Sequence, residues 1–350
     1  MKIAMAGVVL PTTEKAGVAM QVHGLANTLV RRGHDVTVFT LSPAPADARY
    51  VTHTFRLAAR IPRSLYSFVQ AVHLAMTNFS SFDVIHAHGD NYLLFAWPHH
   101  IRTFHGSAKA EARAAGRLAL RLYYRVMAPL ETLGARMSAY NVAVSRNTKA
   151  SIGRINTVIP CGLELDRFHP GTKSTVPTIL FVGGIRGRKR GQLLAECFRN
   201  EVQRAHPSAQ LWLVSGDSVE GKGIINFGRI SDDRLAELYR QAWVFCMPST
   251  YEGFGVPYIE AMASGTPVVA TYNVGADEVL EGGRCGVITS DAELGSALRT
   301  LLGDAARLAD SAERGLKRAQ QFDWALVAAS YESAYERVYA LARQRARRDR

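Results

Sequence analysis

Two glutamates, Glu252 and Glu260, stand eight positions apart around a glycine-rich turn, Glu252-Gly253-Phe254-Gly255. The run Val244 to Met247 ahead of the turn is short and apolar, the pattern of a buried strand, and Pro248 stops it. Pro257 suits the first position of a helix that Gly265 ends. Pro267 to Thr271 reads as the next parallel strand, so the segment is expected to be a βαβ unit whose loop opens at the carboxyl edge of a sheet, where ligands bind. Glycines at 253 and 255 let the backbone approach a bulky anion, and the free N–H groups of a helix start favour phosphate. On this reading Glu260, in the first turn of the helix, reaches ribose hydroxyls, while Glu252 in the loop holds hydroxyls of a sugar. The chemistry implied is that of holding a nucleotide sugar.

Written out, the stretch is PS-x-x-EGFG-x-P-x-x-EAMA-x-G-x-PVVAT, and it resembles the signature of family 4 of the retaining glycosyltransferases. These enzymes have the α/β GT-B fold, two Rossmann-like domains with a ligand cleft between them. The resemblance implies that Glu252 contacts the donor sugar and Glu260 the nucleoside ribose. It extends along the chain. Leu25-Ala26 with Arg32 to Val38 looks like the family's first helix and second strand, Asp83 to His88 like a later strand end, and Ile159 to Phe168 like the interdomain linker.

A second candidate phosphate clamp is the loop Gly183-Gly184-Ile185-Arg186-Gly187-Arg188-Lys189-Arg190-Gly191, between a strand and a helix. Departure of a nucleoside diphosphate concentrates negative charge, and cations already in place stabilise it where it grows. Lys is a compact point charge and Arg a planar fork, so one loop with both can hold two phosphates from different sides. A solvated basic turn is the plain alternative. In most relatives an arginine follows the first glycine, where Gly184 stands here. Arg188 and Lys189 keep the arrangement similar to that of bacterial lipopolysaccharide core glucosyltransferases, with Lys189 the first candidate, and either Arg186 or Arg190 could replace the missing arginine.

His105, in Thr103-Phe104-His105-Gly106-Ser107, follows a strand and precedes a glycine, and is expected on a loop facing the cleft. The resemblance assigns it to the donor sugar, where imidazole donates or accepts at neutral pH. Of His86 and His88 at a strand end, at least one is expected to be structural. The loop after the first strand, which carries Gly-Gly in relatives, has Ala16-Gly17, leaving Gly17 as a candidate donor contact. Cys161 replaces the asparagine of a Pro-Asn-Gly linker and is expected to be a buried thiol. No Asp-x-Asp triplet occurs, the nearest being Glu164-Leu165-Asp166 in the linker, so no metal and no cofactor are expected beyond the donor substrate.

The elements that must position these residues alternate. Lys2 to Val9, Asp35 to Thr40, Asp83 to Ala87, Ile101 to Phe104 and Tyr140 to Ser145 read as strands, with helices over Val18 to Arg32 and Leu118 to Met137. Prolines at 160, 170 and 177 break the pattern. A second alternation runs through Thr178 to Val182 and Gln210 to Val214. The expectation is an acceptor-side Rossmann-like domain over 1–165 and a nucleotide-sugar domain over 172–324, with a C-terminal helix of about 325–350 returning to the first by analogy with the family. At 350 residues, 47% hydrophobic and 21% charged, the chain can bury two cores. Four separated cysteines without a CxxC pair argue against zinc and disulfides and fit a reducing cytoplasm. The N-terminal MKIAMAGVVL reads as a strand rather than a signal peptide.

The formal charge of +12 is concentrated in the first half: residues 1–160 hold 18 Lys and Arg against 7 Asp and Glu. The Phe55 to Val69 segment interleaves Arg56, Arg60 and Arg63 with Leu57 and other apolar residues, and Arg113, Arg117, Arg121 and Arg125 recur every four positions. These point to an anionic membrane surface or an acidic acceptor, a solvated face being the alternative. The whole reading is a metal-independent retaining transferase moving a sugar from a nucleoside diphosphate to a hydroxyl on a glycan, lipid-linked or other acceptor, cytoplasmic or peripheral on the cytoplasmic membrane face, without nucleic acid. Its rivals are a nucleotide-sugar 2-epimerase and a non-catalytic nucleotide-binding subunit. His105, Glu252, Lys189 and Arg188 are the catalytic candidates, and Gly17, Gly183, Gly184, Glu252, Gly253, Phe254, Gly255, Val256 and Glu260 the donor-binding ones.

Overall fold

Strands covered by helices on both faces are buried along their length, and residues 84–88, 100–104, 140–143, 244–247 and 268–271 are buried throughout. The computed structural model describes residues 1–12, 17–55, 61–62, 65–89, 100–116 and 118–348; Ala16, Arg56, Leu57, Arg60, Arg63 and Arg117 lie outside them. Met1–Arg113, Ala119–Gly162 and Trp324–Arg350 form one compact unit, and Leu163–Asp323 with Ala114–Leu118 a second.

The first half runs β1 (Lys2–Ala6), α1 (Gly17–Arg31), β2 (Asp35–Thr40), β3 (Val51–Thr54), α2 (Tyr66–Ala75), β4 (Val84–His88), β5 (His100–Phe104), α3 (Ala108–Ala114), α4 (Leu118–Met137), β6 (Tyr140–Ala143), α5 (Arg146–Ile152) and β7 (Thr157–Val158). Its seven strands are all parallel, in the order β3-β2-β1-β4-β5-β6-β7. The second half runs β8 (Thr178–Val182), α6 (Gly191–Cys197), α7 (Gln203–Ala205), β9 (Gln210–Val214), β10 (Ile224–Asn226), α8 (Asp232–Gln241), β11 (Val244–Met247), α9 (Val256–Ala263), β12 (Val268–Thr271), α10 (Val274–Val279), β13 (Val287–Thr289), α11 (Leu294–Leu302) and α12 (Ala305–Ala319), and α13 (Trp324–Arg348) follows. Its six parallel strands are ordered β10-β9-β8-β11-β12-β13. Each sheet therefore reverses its strand order beside its first strand, between β1 and β4 and between β8 and β11, and such switch points leave a crevice at the carboxyl edge.

α13 completes the core of the first unit. Trp324, Val327, Tyr331, Tyr335 and Val338 join Ile3, Met5, Val22, Leu25, Leu29 and Val38 in one buried cluster. Trp324 lies so close to α1 and to the end of the linker that a Cβ on Gly24 would stand 2.5 Å from its ring and one on Gly162 2.2 Å. Gln21 of α1 donates to the Gly162 carbonyl at 2.9 Å and accepts from its N–H at 2.8 Å, fixing that approach. At the surface, Arg32 grips Glu332 with two 2.7 Å bonds and His34 adds a third at 2.9 Å. Burying an indole in a close-packed site leaves a cavity when it is removed, so Trp324→Ala is expected to destabilise the protein by about 3–5 kcal/mol in urea unfolding.

Candidate active site

In the second unit the loops after β8 and β11 are knitted together at the switch point. The Thr250 N–H donates to the Arg188 carbonyl at 2.9 Å, and the Arg188 guanidinium donates to the Tyr251 carbonyl at 2.8 Å. Arg190 donates to the Pro248 carbonyl at 2.7 Å and to Thr271 Oγ1 at 3.0 Å, and grips both Asp291 oxygens at 2.5 and 2.8 Å. Of the two arginines that could replace the one missing at Gly184, Arg190 is therefore committed to holding the loop, while Arg186 is exposed.

Glu252 is buried. One carboxylate oxygen accepts from Ser249 Oγ at 2.9 Å and the other from Arg188 at 3.3 Å. Gly183 takes a φ of +142°, and the Lys189 stem lies across it where a Cβ would meet Lys189 Cδ at 2.1 Å. Glycine is thus required for the lysine to fold back, with Nζ donating to the Val182 carbonyl at 3.2 Å. Burial lowers the Lys189 ammonium below the ordinary lysine range, opposed by the charges of Glu252 and Glu260. Gly255 precedes α9 with a φ of +103°. Among the described residues no hydrogen bond takes up the N–H groups of Gly253, Phe254, Gly255 or Val256, which leaves donors at the amino end of α9.

Glu260 is one residue further along the helix than the sequence implied. The helix starts at Val256, Pro257 is its second residue, and Glu260 falls in the second turn. Its carboxylate accepts from the buried Tyr239 hydroxyl of α8 at 2.9 Å. Desolvation pushes its pKa up to about 7, against the Tyr239 hydrogen bond and the Lys189 charge, which act to lower it.

In the first unit Val18 and Ala19, next to Gly17, line the same cavity as His105. Gly17 begins α1 with open space about it. His105 follows β5 and borders this cavity, of about 370 Å³, lined also by Val9, Tyr66, Glu111, Tyr124 and Glu131. Glu131 accepts the Ala108 N–H at 3.1 Å with each oxygen, which seats the start of α3. His105 Nε2 pairs with His88 Nδ1 at 3.0 Å, and desolvation pushes His105 down to about 4. His86, fully buried, bonds Tyr335 at 2.7 Å and Thr103 at 2.8 Å, the structural role expected of at least one strand-end histidine. Cys161 is buried, and burial raises its thiol pKa far above the ordinary range, which leaves it unreactive.

Residues 16–167 match the family model described as Glycosyltransferase Family 4, and residues 176–304 the one described as Glycosyl transferases group 1. The chain belongs to family 4 of the glycosyltransferases. Its two parallel-sheet Rossmann-like domains are those of the GT-B fold, and sucrose-phosphate synthase from Thermosynechococcus elongatus superposes with a TM-score of 0.79 over 97% of this chain and 99% of that one, at 24% identity. D-inositol 3-phosphate glycosyltransferase 2 of Catenulispora acidiphila is 32% identical over 222 residues, 54% of this chain and 52% of that relative, so this alignment spans about half the relative's length. Phosphatidyl-myo-inositol mannosyltransferase of Mycobacterium tuberculosis is 28% identical over 361 residues, 92% of this chain and 93% of that protein.

In this family 4 glycosyltransferase the motif spacing marks Ser249, three residues before Glu252, but not Tyr239, Asp291 or the cavity residues on α2 and α4. These others meet their partners through the fold, without a local spacing to mark them. The pKa of Glu260 has a measurable consequence. The folded protein holds that proton up to about pH 7, whereas an ordinary Glu releases it near 4.5. The folded state therefore binds more protons between these values, and its contribution to stability, full below about 4.5, declines as pH rises toward about 7. Glu260→Gln is expected to remove that decline, so urea midpoints of variant and parent should separate in the variant's favour as pH rises through this window.

Proposed function

We propose that this enzyme transfers a sugar from a nucleoside diphosphate to a hydroxyl of a lipid-linked headgroup at an anionic membrane surface, with retention and without a metal. The observation that carries the donor half is the cluster of Glu252, Arg188, Lys189 and Glu260 beside the unpaired N–H groups at the start of α9. In this reading Lys189, Arg188 and the N–H groups of Phe254 to Val256 take up the charge that grows on the departing diphosphate. Glu260 holds the ribose, Glu252 the sugar, and His105 orients the sugar, with Gly17, Gly183 and Gly184 as close backbone approaches. Both carboxylates already accept hydrogen bonds, Glu252 from Ser249 and Arg188 and Glu260 from Tyr239, which favours binding over a nucleophilic role. The sugar–phosphate bond then breaks as the acceptor oxygen bonds to the same face, and the acceptor proton passes to the departing phosphate. Among the described residues no group of three or more His, Cys, Asp and Glu side chains is placed to hold a metal ion.

The acceptor half rests on the surface of the first unit and on relatives named for inositol 3-phosphate and phosphatidyl-myo-inositol. Among the described residues no helix is long and apolar enough to cross a membrane. α4, however, turns Leu122, Val126, Leu133 and Met137 to solvent, and Arg121, Arg125 and Arg136 are exposed beside them. α2 exposes Phe68 and Val72, and Met76 just after it is exposed too, at a spacing of four. Both helices also border the 370 Å³ cavity, through Tyr66 on α2 and Tyr124 and Glu131 on α4. An apolar stripe flanked by arginine is the pattern of a helix lying in a bilayer interface.

Calorimetry with UDP, GDP and ADP in EDTA, followed by turnover with the sugar donors of the nucleotide that binds, tests the donor half. Lys189→Ala and Glu260→Ala are expected to weaken nucleotide binding by about tenfold or more, the loss of a charge-assisted contact, and His105→Ala to lower turnover with little change in nucleotide affinity. Unchanged affinity in Lys189→Ala would remove it from the clamp, and activity restored only by magnesium or manganese would overturn the metal-free mechanism. For the membrane half, sedimentation with phosphatidylglycerol vesicles is expected at low salt and not with phosphatidylcholine alone. Replacing Arg121 and Arg125 together by Ala should cost up to about 2 kcal/mol of that binding. Equal binding to both vesicles, or to neither, would leave a soluble acidic acceptor.

A further inference from the structure

His105, half-buried, is one end of a chain of three imidazoles at the carboxyl ends of β4 and β5, the other two buried. His86 and His88 share one face of β4, being two residues apart on a strand. The parallel register sets His88 opposite Thr103, which carries the chain two residues on to His105. His88 Nδ1 and His105 Nε2 are 3.0 Å apart, and the two rings stack at 5.3 Å with 28° between their planes. Behind them the His86 ring lies 3.9 Å from that of His88 and is fixed at both nitrogens, by Tyr335 on one side and Thr103 on the other. Thr103 in turn meets Tyr331 at 3.1 Å. His86 and His88 are at most 1% exposed, and desolvation lowers both well below the ordinary histidine range, so these rings are neutral.

A neutral imidazole has one N–H and one bare nitrogen. A hydrogen bond between two such rings makes one donate and the other accept, so the bond to His88 decides where His105 carries its proton. If His88 donates, the His105 proton sits on Nδ1; if His105 donates from Nε2, its Nδ1 is bare. In either case Nε2 is spent, and Nδ1, which makes no hydrogen bond among the described residues, is the nitrogen left over on a ring that borders the cavity.

We propose that His88 is a positioning residue for His105: it commits Nε2, holds the ring in one tautomer and leaves Nδ1 alone to meet the ligand. The functional meaning of that contact rests on the transferase reading, whereas the tautomer itself does not. In turnover, a ring free to rotate and exchange is expected to cost about tenfold or more in kcat without changing nucleotide affinity, because a misplaced hydrogen-bonding group loses its effect over small distances.

The test is the long-range proton–nitrogen spectrum of the full chain labelled with 15N-histidine, His105 being assigned by its loss in His105→Gln. The parent is expected to show one protonated and one bare nitrogen for His105. His88→Asn, whose amide reaches the place of Nδ1, should keep that pattern. His88→Leu should move both His105 nitrogens toward the averaged positions of a freely exchanging ring, and if it does not fold, His88→Gln, whose amide lies at the far side of the ring's place, makes the same comparison. Averaged signals in the parent, or unchanged His105 signals in His88→Leu or His88→Gln, would overturn the proposal. The spectrum needs no substrate, so a chain that failed to transfer sugar would still return an answer about His88.

Discussion

A carboxylate withdrawn from water, as at Glu252, has to be answered by positive charge and hydrogen-bond donors, because an unpaired buried charge is among the costliest defects a fold can carry. Much of the second unit's architecture follows from that demand. Ser249, three residues earlier, answers one oxygen, but the cation must come from elsewhere, and Arg188 brings the loop after β8 against the loop after β11. Once there, that loop is fastened by the Thr250 N–H and by Arg190, whose partners lie on three separate segments. The positive charge left over, on Lys189, is favoured by the charges of two glutamates and carried on a stem that only a glycine at 183 admits. Charge placed before a ligand arrives need not be reorganised during a reaction, and that is how such a site gains most from electrostatics.

The first unit solves a different problem. Beside the buried Arg102 at the β4–β5 edge, neutral groups are bonded in series: hydroxyls of Tyr331 and Tyr335 from α13, the Thr103 hydroxyl, then the histidines. A buried network of this kind stabilises only when every link is made. The helix that supplies two of its members is the one that also supplies Trp324 and Tyr335 to the apolar core, so the network and the core share a single support.

The fold class was legible because its signal is periodic. Thr178 to Val182, Gln210 to Val214, Val244 to Met247 and Leu118 to Met137 have the bounds read from the sequence, since short apolar runs and a long amphipathic stretch mark their own ends. The strand expected over Lys2 to Val9 ends at Ala6, and Val9 turns instead toward the cavity. A shift of a single residue in the start of α9 moved Glu260 from the first turn to the second. The pairs Tyr239 with Glu260, Arg190 with Asp291 and His88 with His105 join residues brought together by strand order and register. Periodicity carries no record of such pairs, and they were legible only in the fold.

The dependence of the first unit on α13 bears on how the chain emerges from the ribosome. Residues Leu163–Asp323 are contiguous and need nothing synthesised after them, whereas the sheet that begins at Lys2 waits for a helix some three hundred residues later. Domains fold as units during synthesis when their sequence is available, and closing so long a loop is slow. Translation order and folding order are thus inverted: the half made second is completed first. Through that interval the nascent first half exposes the apolar groove that Trp324 will fill, which makes the growing chain a natural client for chaperones.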